Sequence, residues 1–129
     1  MDPSQLRAFI TDHFDSLINQ GDMTTIERNV HADYVDHDGP GGRTGLDESK
    51  ARTQRNRQRL KDLHVEVRDV LADGDKVVVR NVWTATDPDT SARVEMHGFV
   101  LFRVQDGRLA ERWATITEPR ELTTASFEW

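Results

Sequence analysis

Asp36-His37-Asp38 sets an imidazole between two carboxylates, where the apolar run Tyr34-Val35 gives way to the turn-forming stretch Gly39-Pro40-Gly41-Gly42. Histidine titrates near neutrality when unperturbed; flanking carboxylates favour its charged form, and burial favours its neutral form. His37 is therefore the first candidate for proton transfer, with Asp36 or Asp38 orienting it, and the alternative is a histidine that only hydrogen-bonds the turn. Arg80 and Arg112 are the cations expected to point into a cavity, where they would bind a carboxylate or polarise a carbonyl, or else pair with Glu95 or Glu111 across strands. His31, Asp36, His37 and Asp38 hold metal-ligating atoms without a recognisable ligand spacing, so no metal is expected. The run from Gly39 to Gly45 matches a phosphate loop only in composition, and no local signature supports a serine-histidine-aspartate triad.

These groups need a scaffold, and apolar spacing supplies one. Leu6, Phe9, Ile10, Phe14, Leu17 and Ile18 recur at helical intervals behind Asp2 as cap and Pro3 in the first turn, which predicts an opening helix ended by Gly21. His13 falls on that stripe, bonding a core neighbour or looking into a ligand cavity. Thr24-Thr25-Ile26-Glu27 is read as a capping box that opens a short helix to about Val30. Leu46 to Leu63 predicts a third helix whose apolar positions, Leu46, Ala51, Leu60 and Leu63, are sparse. Its cations, Lys50, Arg52, Arg55, Arg57, Arg59 and Lys61, distribute all round the helix and are read as a solvated face, the alternative being an anion-binding surface. The period then changes to two: strands over His64 to Leu71, Lys76 to Thr86, Arg93 to Gln105 and Arg108 to Thr117, joined by turns at Asp73-Gly74-Asp75, Asp87-Pro88-Asp89 and Asp106-Gly107. Helices first and antiparallel strands afterwards predict an α+β domain, with three N-terminal helices packed on a curved antiparallel sheet, and exclude a doubly wound parallel sheet. The tail 119–129 has little periodicity, although Phe127 and Trp129 offer apolar rings for docking.

Composition narrows the function. The chain has 129 residues, 36% hydrophobic and 31% charged, which suits one domain over 1–129 with a compact core. A formal charge of -6 argues against nucleic acid as a partner, and the absence of cysteine removes thiolate and disulfide chemistry. No signal-like or membrane-spanning run is present, so a cytoplasmic protein with no membrane partner is expected. Alternation makes both faces of the sheet apolar, and a sheet with one face under its own helices calls for a second cover, which predicts a homodimer.

Three runs in chain order, Tyr34-Val35-Asp36-His37-Asp38, Gly74-Asp75-Lys76-Val77-Val78-Val79-Arg80 and Phe102-Arg103-Val104-Gln105-Asp106-Gly107-Arg108-Leu109-Ala110-Glu111-Arg112-Trp113, resemble the SnoaL-like polyketide cyclases of the nuclear transport factor 2-like superfamily. The resemblance covers nearly the whole chain, to about Pro119. It implies a cone-shaped α+β barrel, usually dimeric, whose cavity takes hydrophobic small molecules, and an intramolecular aldol step that needs no cofactor. In such cyclases an aspartate directly after the strand tryptophan serves as acid/base, helped by a histidine on the neighbouring strand; this chain has Ala114 and Val100 at those places. Related ester-cyclase-like sequences carry an acid near the end of this strand, where Thr117 and Glu118 stand here. A methyl group cannot move a proton.

The expected function is cofactor-independent acid/base chemistry by a cyclase, isomerase or hydrolase on a hydrophobic substrate. His37, Asp38, Arg80 and Arg112 would form the catalytic set, and His13, Tyr34, Met96, Phe102, Ala114 and Ile116 the substrate-binding wall. His97 shares a face with Phe99 and Leu101 and reaches the cavity only through a bulge. The alternative is a non-catalytic ligand-binding or dimerisation module of the same fold.

Overall fold

A computed structural model describes residues 1–38 and 41–121. The first helix, α1 (Pro3–Phe14), starts where Asp2 Oδ1 accepts from the Gln5 amide at 2.8 Å and Gln5 Oε1 accepts from the Asp2 amide at 3.0 Å. The reciprocal pair satisfies two amide donors that would otherwise lack partners at the helix start. The helix then widens into a π-helical turn over Asp15–Asn19, which apolar spacing does not signal. That turn has a tether. The Asn19 side-chain amide pairs with the Val65 backbone, donating to its carbonyl at 2.9 Å and accepting from its amide at 2.8 Å, and so satisfies part of an exposed strand edge.

The short helix α2 (Thr24–Asn29) is capped from outside the expected box. Asp22 Oδ1 accepts from the Thr24 amide at 3.0 Å and from its hydroxyl at 2.6 Å. Strand β1 (Val30–Asp36) follows directly and carries the Tyr34 to Asp36 segment. Helix α3 (Leu46–Arg59) stops short of the expected Leu63, because Leu60 turns extended and Lys61 to Leu63 join the next strand.

Among the described residues six strands form one curved, unclosed sheet: β1, β2 (Lys61–Asp73), β3 (Lys76–Thr86), β4 (Arg93–Gln105), β5 (Arg108–Ile116) and β6 (Arg120–Glu121). Its order is β1-β5-β4-β3-β2, with β6 beside the start of β4. The meander from β2 to β5 is antiparallel as expected, but β1 runs parallel to β5, pairing Asp36 with Arg112. This parallel neighbour corrects the expectation of a wholly antiparallel sheet. It requires a long crossover, and 71 intervening residues of helix and meander supply it. The turn between β4 and β5 uses Asp106 (φ 53°) and Gly107 (φ 74°), both in the left-handed region that two-residue hairpins favour.

The core lies between the sheet's inner face and the helices. Val65, Val77, Val79, Val100, Phe102 and Leu109 pack against Leu6, Ile10, Phe14, Leu17 and Ile18 in one buried cluster. Gly98 belongs to this design for a steric reason: a Cβ there would stand 2.2 Å from Asn81 Oδ1, the atom that accepts from Trp83 Nε1 at 2.9 Å. No helix among the described residues is long and apolar enough to cross a membrane. Phe127 and Trp129 lie outside the described residues.

Candidate functional site

Strand alternation decides what reaches the interior. Tyr34 and Asp36 share the inner side of β1, and Asp38 follows them to the same side. Arg112 and Ile116 of β5, Met96 and Phe102 of β4 and Trp83 of β3 face the same space. With Phe14, Leu17 and Ile18 from the first helix and its π turn, they bound a cavity of about 310 Å³.

The opposite wall is polar and comes from α3. Ser49, Arg52, Thr53, Asn56 and Arg59 line the cavity at helical intervals. The third helix has few apolar residues because part of its polar surface faces a cavity, and none of its residues is buried. This corrects the reading of its cations as a merely solvated face.

At the junction of the two walls Asp36, 1% exposed, bonds two arginines. Arg112 Nη1 reaches both of its carboxylate oxygens at 3.1 Å, and Arg52 Nη2 donates to Oδ2. The Asp38 amide adds a hydrogen bond to Oδ1 at 2.9 Å. Burial alone would raise the Asp36 pKa, but Arg112, the Asp38 amide and Arg52 together hold it below the usual carboxylate value. Asp38 is looser: its Oδ2 lies 3.7 Å from Arg112 Nη1, and its side chain is 44% exposed. Among the described residues, the remaining nitrogens of Arg112 bond no protein group. The Ser49 hydroxyl is likewise buried without a partner.

His13 lies on another part of the wall, edge-on to Phe14 and Phe102 at 5.8 and 6.3 Å between centroids. Burial pushes its pKa down to about 4, so the ring is neutral at pH 7. Asn29 Nδ2 sits 3.2 Å from Nδ1. An amide nitrogen only donates, so with the amide oriented this way Nδ1 accepts and the ring proton resides on Nε2. Burial also raises the Tyr34 pKa well above its ordinary value and keeps the phenol protonated.

The structure takes His37 out of the site. It follows Asp36 on the strand path and therefore turns to the outer face, where its ring stacks on Trp113 at 4.7 Å and 5°. Its Nε2 lies 2.6 Å from Glu111 Oε2, and Arg103 Nε holds the other Glu111 oxygen at 2.9 Å. The His37 and Arg103 hydrogen bonds, in that order, lower the Glu111 pKa. His37 thus caps an indole outside the cavity, and its expected role as the acid/base in that cavity fails on geometry. Arg80 fails for the same reason: it shares the outer side of β3 with Val78, and its Nε pairs with Asp69 Oδ2 at 2.6 Å. His97 also lies outside the cavity and pairs with Glu95 at 3.2 Å.

Of the expected wall residues, His13, Tyr34, Met96, Phe102 and Ile116 line the cavity, as do Asp38 and Arg112 of the expected catalytic set. Ala114 faces inward but packs against the core without lining the cavity. Arg52, Asn56, Arg59, Ser49 and Trp83 were not expected there. The four from α3 carried a signal, since 49, 52, 56 and 59 recur at three- and four-residue steps. No group of three or more His, Asp or Glu side chains among the described residues is arranged to hold a metal ion.

A family model described as SnoaL-like polyketide cyclase matches residues 8–118. The chain belongs to that family. Its fold is correspondingly nuclear transport factor 2-like. IdmH of Streptomyces antibioticus, a proposed polyketide cyclase, is 26% identical, with 90% of this SnoaL-like chain and 92% of IdmH covered at a TM-score of 0.74. TsrD of Streptomyces laurentii matches at 22% identity, 90% of each chain and a TM-score of 0.79. AclR of Streptomyces galilaeus, a proposed hydroxylase, matches at 23% identity, 88% of this chain and 79% of its own, with a TM-score of 0.75. The last two likenesses concern the fold. No curated protein matches the sequence. Membership supports a cyclase or isomerase type of role at the level of the family.

Proposed function

We propose that the cavity binds a small, largely apolar molecule bearing a ketone or ester carbonyl and promotes cofactor-independent proton transfer at the adjacent carbon. That step is shared by cyclisation through carbon-carbon bond formation and by isomerisation. The observation that carries this reading is the Asp36-Arg52-Arg112 cluster set against an apolar wall, where a fixed cation is worth far more than in water. Arg112 offers its unused donors to the carbonyl oxygen. As the α-proton leaves, the C–H electron pair becomes the enolate and its charge collects on that oxygen.

Asp38 receives the proton. Asp36, held in ionised form by two arginines, is a poor acceptor and acts as a positioning residue for them. Neutral His13 offers an Nε2–H donor on the apolar side. Deuterium uptake from D2O at the methyl group of 2-acetonaphthone tests the scheme. The parent protein should accelerate exchange over buffer, Asp38→Asn should lower the enzymatic rate by about 100-fold or more, and His37→Ala should leave it unchanged. An Asp38→Asn protein as fast as the parent contradicts the assignment.

A second reading, binding without turnover, is favoured by the fixed protonation states of Asp36, His13 and Tyr34, which leave the exposed Asp38 as the acceptor. Saturable binding of the ketone with no exchange would select it.

A second copy of this chain is the proposed cover for the sheet's outer face. Leu71, Val78, Leu101 and Trp113 are register partners in a row across β2 to β5, and Phe99 beside them is 57% exposed. A two-fold pairing of that row buries it on both copies at once. Sedimentation should give a dimer for the parent and a monomer for Phe99→Glu; a monomeric parent removes the proposal.

A further inference from the structure

Helix α3 carries five cations, and four of them are engaged within the protein. Lys50 pairs with Glu27, Arg52 with Asp36 and Arg55 with Glu48, while Arg57 Nε donates to the Ile18 carbonyl at 2.9 Å. Arg59 has no hydrogen-bond or ion-pair partner among the described residues, and it both lines the cavity and is exposed to solvent. Asn56, three residues earlier on the same helical face, also lines the cavity, and its side-chain amide is likewise unpaired among the described residues. A basic residue in the last turn complements the helix dipole, a role Arg57 fills as well. What distinguishes Arg59 is its position at the cavity.

The charges point the same way. Arg52, Arg59 and Arg112 face the cavity with Asp36 and Asp38, so one positive charge is left over in a chain whose net charge is -6. Asp36 and Asp38 both lie with Arg112, which leaves the surplus at the Arg59 end. The walls of the cavity are therefore amphipathic: aromatic and aliphatic from the sheet and first helix, polar and cationic from α3.

We infer that the ligand of this cavity is an apolar molecule with a single carboxylate, which the Arg59 guanidinium and the Asn56 amide receive at the mouth while the apolar body lies against Phe14, Trp83 and Phe102. The inference rests on the cavity reading above and adds the ligand's charge and direction of entry. Arg59 is a specificity-determining residue in this scheme and takes no part in the proton transfer. A planar guanidinium fork matches one carboxylate in two parallel hydrogen bonds, and one surplus charge matches a monoanion.

Calorimetric titration at pH 7 with 2-naphthoate and its neutral isostere 2-naphthamide tests the inference. The parent should bind the anion about tenfold tighter than the amide. Arg59→Gln should abolish that preference, bringing the anion's affinity down to that of the amide. Arg55→Gln, which removes a neighbouring charge that does not line the cavity, should keep the preference. Equal affinities in the parent, or a preference that survives Arg59→Gln, overturn the inference and leave the cavity reading standing. Failure of both probes to bind the parent overturns the two together.

Discussion

Asp36 and His37 are adjacent in sequence and end on opposite faces of one sheet. Each takes part in a side-chain pair reaching β5, Asp36 with Arg112 and His37 with Glu111. The surroundings differ. The Asp36 side chain is 1% exposed and faces a cavity, whereas those of His37 and Glu111 are 26% and 20% exposed on the outer face. A buried ion is costly to orphan, and a partly solvated pair contributes little. The face a pair occupies therefore decides its role: the inner one can act on a guest, and the outer one braces an indole.

Breaking the inner pair gives the largest expected effect. Asp36→Ala strands Arg52, leaves Arg112 only the looser Asp38 at 3.7 Å, and should cost about 3–5 kcal/mol of stability in a urea titration. The same carboxylate sets an acid limb. Its folded pKa is below the unfolded value of 3.8, so its contribution is full above that value and is lost as pH falls through the folded one. His13 sharpens the contrast at milder pH. Its pKa is about 4 when folded and 6.5 when unfolded, so the unfolded chain binds the extra proton between those values. Stability should therefore decline as pH drops from 6.5 toward 4, by up to roughly 3 kcal/mol, and His13→Gln should flatten that slope.

A smaller inner-face effect comes from Gly98→Ala, whose methyl would press on Asn81 and should cost about 1–3 kcal/mol by thermal or chemical unfolding. The outer pair gives the least. His37→Ala loses a stacked ring and a partly exposed hydrogen bond to Glu111, about 1 kcal/mol by the same assay, with ligand affinity in the cavity unchanged. A greater loss from His37→Ala than from Asp36→Ala would invert the comparison.

Much of this contrast was legible in the sequence. The period-two strands, the turns at Gly74 and Gly107 and the inward set Met96, Phe102 and Ile116 follow from alternation. Alternation also forbids placing both Tyr34 and His37 in the cavity, since they lie an odd number of residues apart on one strand path. An imidazole between two carboxylates suggests acid/base chemistry, but parity sets it on the other face from Tyr34. Arg80 is a similar case, with Val78 and Val82 beside it on the outer side. The π turn had no local signal, because Phe14, Leu17 and Ile18 fit an ordinary helix equally well. The parallel β1–β5 pair depends on a contact across 71 residues that no short pattern encodes. The polar wall of α3 was hidden because polar residues in a helix ordinarily mean solvent.

The two tryptophans of the described sheet offer the most direct test. Trp83 lines the cavity and donates its indole N–H to Asn81, while Trp113 stacks under His37 on the outer face. In a nitrogen–proton NMR spectrum, with the indole signals assigned through Trp83→Phe and Trp113→Phe, titration with 2-acetonaphthone should move the Trp83 resonance saturably and leave Trp113 in place. Movement of Trp113 alone, or of neither, would contradict the placement of the site inside the sheet.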